Sequence, residues 1–447
     1  MPKKKYITRL FLVLIILFSF FFDNCKSKTK EVKDFNIVLI VIDALRSDHL
    51  PFYGYEKNTA PFLLELSKKS VVFENTFAAS SWTSPATASI FTSLYPYQHG
   101  VLMGLLAIRN AQKINPNVKI NRIPEEITTI TEVLKKQGYQ TYGVADNLNI
   151  GKRQGFTQGF DKFRTFMYRQ APNLNDVVKK WKNKLTANGK YFLYLHYMEP
   201  HAPYHPREPW YKPDEDRRKN RISAYDSEIN FVDQYIKELF ELFKWEQNTL
   251  IIVTSDHGEG LWDHGLMAHG KTLYREELQV PLMIYLPGGK IAKRVSTNAT
   301  TIDILPTVRD LLGLSADVSD EGASLVPLIE NNEDENKNSE NPVNKLEKRS
   351  LFSYLWVKTT DEIEWKSTIY KKWHFIIKLP DMKLLYSLLL DKKEKDNKIT
   401  NARTAALELE KRFESFMKKS KKYKQKSATY KLDDKKTEKL KSLGYVH

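Results

Sequence analysis

The chain has 447 residues, 41% hydrophobic and 12% aromatic, enough for a large buried core and too apolar for a disordered protein. Its formal charge is +16, but no nucleic-acid recognition motif accompanies the excess, so no nucleic-acid partner is expected. Cys25 is the only cysteine, which excludes an internal disulfide.

Lys3, Lys4, Lys5 and Arg9 precede an apolar run from Leu10 to Phe22. That run is short of the roughly 20 residues a spanning helix needs and suits the core of a signal peptide. It ends at Asp23-Asn24-Cys25, which resembles a bacterial lipoprotein processing site, with Asn24 where a small residue is usual. Residues 1–25 are therefore read as a signal peptide of lipoprotein type. An uncleaved signal anchor is the alternative, and an incidental cysteine the third reading. Residues 26–34 are polar and read as a tether. The expected location is the bacterial cell envelope, exported and held to the membrane by an N-terminal lipid or anchor.

Asn36 to Ile42 is an uninterrupted apolar run rich in β-branched residues, the pattern of a strand buried on both faces of a parallel sheet. Similar runs recur at Tyr191–Leu195, Thr249–Thr254 and Val280–Leu286, with helical patterns at Thr128–Gln137 and Ala224–Phe243 between them. Strands alternating with helices predict an α/β sandwich with a largely parallel central sheet flanked by helices, over residues 35–330. Residues 331–349 begin with a low-complexity polar stretch and read as a linker or surface loop. Short strands at Ser350–Tyr354, Ser367–Tyr370 and Trp373–Lys378, then a helix at about Ala402–Met417, predict a small C-terminal α+β subdomain over 350–416. Residues 417–447 form a Lys-rich tail, read as a solvated end or as a stretch attracted to anionic headgroups or substrates.

Four constellations carry chemistry. Asp43 closes the first buried strand, where ligands of open α/β sheets bind; alone, such a residue is more often a helix cap. Thr254-Ser255-Asp256-His257-Gly258-Glu259 closes another, and its carboxylate and imidazole suit a divalent metal of intermediate hardness, with Gly258 letting the backbone turn close to the ion. Ser80 to Ser93 is a hydroxyl-rich stretch entering an apolar helix, either a simple N-cap or a nucleophile at a positive helix end. Of 10 histidines, five gather at His196, His201, His257, His264 and His269 beside Gly and Pro, which argues for a polar pocket rather than scattered surface residues.

In this order the motifs resemble the sulfatase family of the alkaline-phosphatase superfamily. Asn36 to Tyr55 is similar to the family's opening, in which the residue at Asp43 is a metal ligand; Ala44 replaces a second acidic residue common there. Phe192 to Tyr204 resembles the segment carrying a leaving-group histidine, matched by His201, and Asp256-His257 matches the second metal-binding pair. Leu266 to Pro287 resembles the stretch that supplies a cation to the ester oxyanion, a place left open between His269 and Lys271. Leu384–Leu388 with Asp391, Glu394 and Asn397 is similar to the family's closing hairpin, and Leu440–Val446 to its ending.

The departure lies at Thr83-Ser84-Pro85-Ala86-Thr87, where family sulfatases carry Cys or Ser, x, Pro, Ser, Arg with the first residue oxidised to formylglycine. Threonine carries a methyl on Cβ and cannot become an aldehyde, while the related phosphodiesterases and phosphoglycerol or phosphoethanolamine transferases use an unmodified Thr. The resemblance thus implies one divalent metal (Ca, Mn, Zn or Mg) on Asp43, Asp256, His257 and Thr83, with Thr83 as nucleophile toward a sulfate or phosphate ester. His201 protonates the leaving oxygen, and His269 or Lys271 offsets oxyanion charge. A transferase of phospho-alcohol groups onto envelope glycans or lipids is one alternative; a non-catalytic binding protein is the other.

Overall fold

The computed structural model describes residues 34–114, 121–187, 189–330, 341–358, 362–420 and 422–423. The expected signal peptide, all of the tether but Asp34, most of the Lys-rich tail and the family-like ending lie outside them. Among the described residues no helix is long and apolar enough to cross a membrane.

Among the described residues, eleven strands build the main domain: β1 (Asn36–Ile42), β2 (Val71–Phe77), β3 (Gln140–Ala145), β4 (Lys162–Thr165), β5 (Tyr191–Tyr197), β6 (Thr249–Thr254), β7 (Gly260–Leu261), β8 (Met267–Ala268), β9 (Gln279–Tyr285), β10 (Lys293–Val295) and β11 (Ala299–Thr300). Nine form one sheet in the order β10-β2-β9-β6-β1-β5-β3-β4, with β11 against the end of β2, while β7 and β8 form a separate two-residue hairpin. From β6 to β4 every pairing is parallel. Only β9 runs against its neighbours β6 and β2. The expected mostly parallel α/β sandwich is the fold.

Side-chain alternation in β1 makes the two layers. Ile37, Leu39 and Val41 enter a core with Ile90 and Phe91 of the Thr83–Thr92 helix. Val38, Ile40 and Ile42 enter the opposite core with Ile229, Val232 and Ile236 of the Arg217–Phe243 helix. Burial on both faces leaves no room for polar residues, which is why the strand reads as one apolar run. In β3 that signal is broken by Gly143, where an added Cβ would stand 2.5 Å from the Phe163 ring. The Arg217–Phe243 helix starts earlier than its apolar repeat, capped by Asp216, whose side chain accepts from the amides of Arg218 and Lys219 at 2.9 Å. Its first turns are polar and solvent-facing, so periodicity does not show them.

The C-terminal subdomain is the antiparallel sheet β12 (Leu351–Lys358), β13 (Glu362–Tyr370), β14 (Trp373–Lys378) and β15 (Met382–Ser387), with the Arg403–Lys419 helix packed on it. It docks through Tyr354, whose amide donates to the Ala79 carbonyl at 2.9 Å, just before the Thr83–Thr92 helix. The expected linker needs a correction at its end. Residues Pro342–Lys348 are helical, Leu346 is buried, and the Arg349 guanidinium donates to Asp303 at 2.6 Å. A polar composition hid one apolar anchor and one buried ion pair. Arg349→Ala leaves Asp303 charged in the interior, so denaturant unfolding is expected to show a loss of about 3–5 kcal/mol.

Candidate active site

Because β5, β1 and β6 are parallel neighbours, their carboxyl ends open on one edge of the sheet. Val41 pairs with both His196 and Thr254, which sets Asp43 and Asp256, each two residues further on, beside one another. The Thr83–Thr92 helix aims its first turn at the same place, and Thr83 is its first residue. Amides of a first helical turn have no partner within the helix, so the local field favours an anion. Asp43, Thr83, Asp256 and His257 are all fully buried, and His201 nearly so.

The distances are short. Thr83 Oγ lies 3.1 Å from His257 Nε2, which is 3.5 Å from Asp43 Oδ1 and 3.7 Å from Asp256 Oδ2. His257 Nδ1 faces the Gly258 carbonyl at 2.8 Å. A carbonyl only accepts, so Nδ1 holds the proton and Nε2 turns its lone pair to Thr83 and the carboxylates. Ser84, the neighbouring hydroxyl, is taken up elsewhere by the Gln154 side-chain amide at 3.2 Å. Gly258 serves a different need from the one its motif suggested: an added Cβ would lie 2.0 Å from the Glu276 carbonyl, so the residue permits close backbone approach.

Two carboxylates this close in a buried site cannot both ionise easily. Burial and the neighbouring Asp43 charge push the Asp256 carboxyl up to about 7. Burial alone would raise Asp43 too, but the surrounding His201, His196 and His257 hold it well below the usual carboxylate range. Asp43 Oδ1 and Asp256 Oδ2 are buried with no hydrogen-bond partner among the described residues. Orphaned anionic oxygens converging with an imidazole lone pair fit a divalent cation, with two hard donors and one intermediate one.

The structure adds residues to which the motifs gave no role. His196 Nε2 and the Asn147 side-chain amide hold Asp43 Oδ2 at 3.1 and 2.7 Å. One ligand atom each from Asp43, His196 and Asp256 lie within 4.8 Å of one another, so His196 is a second imidazole in reach of the same cation. Asn147 follows β3, whose carboxyl end opens on the same edge, and the break at Gly143 hid that strand. Glu259 Oε1 faces His269 Nδ1 at 3.1 Å.

His201, His257 and His269 cluster, with ring centroids 4.8 Å apart for His201 and His269 and 4.2 Å for His257 and His269. Burial lowers the pKa of all three, to about 4 for His269. Lys271 is not brought in: it is exposed and its Nζ donates to the Met267 carbonyl at 2.8 Å. His264 also stands apart, stacked on Tyr274 at 3.8 Å and paired with Glu276 at 2.6 Å.

A family model described as Sulfatase matches residues 35–314, which include every residue of this cluster. The chain belongs to the sulfatase family. As a member with curated sulfatases among its relatives, it is a sulfatase-family hydrolase. It is similar to an ulvan-active sulfatase of Formosa agariphila, 25% identical over 375 residues covering 71% of this chain and 70% of the relative. It is also similar to a Δ4,5-hexuronate-2-O-sulfatase of Bacteroides thetaiotaomicron, 20% identical and covering 68% of this chain and 74% of that one. Among solved structures, the phosphonate monoester hydrolase of Agrobacterium radiobacter shares the fold of this sulfatase-family chain, with a TM-score of 0.63 at 18% identity over 86% of this chain and 95% of the other.

Proposed function

We propose that this chain is an exported, metal-dependent ester hydrolase in which Thr83 is the nucleophile. The observation carrying this reading is Thr83 Oγ at 3.1 Å from His257 Nε2, at a helix start beside two unpartnered carboxylate oxygens. Asp43, Asp256 and His257, with Thr83 as a further contact, would hold a divalent cation, which would supply Lewis-acid polarisation and make the hydroxyl more acidic.

The chain's own groups account for the rest. Thr83 Oγ, its proton released to solvent, attacks the sulfur or phosphorus in line and recovers a proton when the ester is cleared. The bond to the leaving oxygen breaks as His201, charged in this step and held through Nδ1 by the Ala202 carbonyl, gives that oxygen its Nε2 proton; the Asp43 and Glu259 carboxylates offset the burial that disfavours the charged form. The amides at the start of the Thr83–Thr92 helix face the equatorial oxygens, and His269, fixed through Nδ1 by Glu259, lines the same place. Water then attacks the sulfo- or phospho-threonine ester, returning its proton to His201 and freeing the acid. Sulfated carbohydrate is the substrate class favoured by the relatives' names, ulvan and hexuronate. A phosphate or phosphonate ester is the second reading, favoured by Thr83 and Thr87, which leave no residue able to form an aldehyde and no arginine beside it. Attack by an acceptor alcohol in place of water would make the same site a transferase. The N-terminal segment would carry the enzyme to the envelope and tether it there.

Purified protein lacking residues 1–25, assayed on an aryl sulfate, an aryl phosphate monoester and a diester with Ca²⁺, Mn²⁺, Zn²⁺ and Mg²⁺, tests this reading. Turnover of at least one ester is expected, and none with any metal would overturn it. His201→Ala is expected to lower kcat/KM about 10²–10⁴-fold on alkyl esters. The loss should be much smaller on aryl esters, whose leaving oxygen needs little protonation; equal losses would remove His201 from that role.

A further inference from the structure

A second cavity, of about 720 Å³, opens between the main domain and the turn after β15, and none of Asp43, Thr83, His201, Asp256, His257 or His269 lines it. Seven cationic side chains face it against four carboxylates. All four acids are already engaged. Asp48 and Asp263 pair with Arg46 at 2.7 and 2.6 Å, Arg218 shares Asp263 at 3.2 Å, Glu74 holds Arg294 at 2.7 Å, and Glu276 holds His264 at 2.6 Å.

What remains is cationic. Lys392 and Lys393 are exposed and make no ion pair among the described residues. Lys395 donates to the Asp263 backbone carbonyl and makes no ion pair among the described residues. Arg275 is nine-tenths buried; its Nη1 donates to the Leu388 carbonyl at 3.0 Å, its Nε to Gln279, and no carboxylate pairs with it. Burial lowers its pKa, against the opposing charges of Glu394, Asp48 and Asp391. The Ser47 and Ser296 hydroxyls also line the wall, while the Asn75 and Gln279 amides donate to the Ser296 and Glu74 carbonyls.

We propose that this cavity binds a sulfated oligosaccharide at a site separate from the catalytic cluster, its anionic groups held by Lys392, Lys393, Lys395 and Arg275. The sugar class rests on the proposed substrate, whereas the need for a multiply charged anion rests on the lining alone. Such a site would hold one stretch of a sulfated chain while another is processed.

The test is calorimetric titration of full-chain Thr83→Ala protein with a sulfated galactan hexasaccharide and its desulfated counterpart. A Lys392→Glu/Lys393→Glu pair is added in the same background, and aryl-ester turnover is followed with Thr83 intact. The sulfated sugar is expected to bind more weakly as salt rises, the desulfated one not to bind, and the double reversal to weaken binding about tenfold or more. Aryl-ester turnover should stay unchanged in the double variant. Unchanged affinity in that variant would overturn the proposal. So would capture by anionic phospholipid vesicles without sugar binding, which would assign the lysines and the exposed Leu389 and Leu390 to a lipid surface. If no ester is turned over but binding still depends on the lysines, the catalytic reading fails and this one stands.

Discussion

Thr83→Ala is expected to abolish turnover of every ester that the intact protein cleaves. Loss of a covalent nucleophile costs about 10⁴–10⁶ in kcat, because the residual binding and electrostatic contributions cannot replace bond formation. The fold should survive. Thr83 is fully buried, but the substitution removes only a hydroxyl and a methyl and breaks one contact, with His257. A change of about 1–2 kcal/mol in unfolding free energy is expected. Thr83→Ser keeps the attacking oxygen and should retain measurable activity. Full activity in Thr83→Ala would move the nucleophile elsewhere. Ser84 would then be the next candidate, although Gln154 already holds its hydroxyl.

Asp256→Asn should produce opposite effects with and without metal. In metal-stripped protein the Asp256 carboxyl is pushed up from 3.8 to about 7 by burial and by Asp43. A raised folded pKa means that its share of stability is fully present below 3.8 and lost as pH rises through about 7. The amide carries no charge to desolvate, so the stripped variant should lose this pH dependence. Above pH 7 it should be the more stable protein, by on the order of 1–4 kcal/mol. With divalent metal well above 1,000 Kd the order reverses, since wild type then gains more than about 4.1 kcal/mol and the variant forfeits much of that. Turnover should fall about 10²–10³-fold as several kcal/mol of charge stabilisation are lost. Thermal unfolding from pH 5 to 9, with and without a chelator, checks both halves. A variant destabilised equally in both conditions would show that Asp256 is structural.

Much of the fold was readable because burial leaves a trace in the chain. β1 and β6 match their apolar runs residue for residue, being buried on both faces at the centre of the sheet. β2, β3 and β4 carry no such trace: they lie toward the sheet's edges or carry Gly143 and polar residues, so no continuous run marks them. The Pro342–Lys348 helix reads as linker because one buried leucine is too little to set a period.

The sequence by itself determined which residues close the central strands, which hydroxyl opens the Thr83–Thr92 helix, and that the hydroxyl there cannot become an aldehyde. Those are properties of local pattern and of covalent structure. Tertiary structure alone decided that His269 rather than Lys271 joins the cluster, and that His196 and Asn147 grip Asp43. The reason is separation along the chain. Thr83 and His257 stand 174 residues apart, and Asn147 and Asp43 104. Their meeting depends on strand order and on one-residue differences in side-chain direction. Neither of these is written in the periodicity of any single segment.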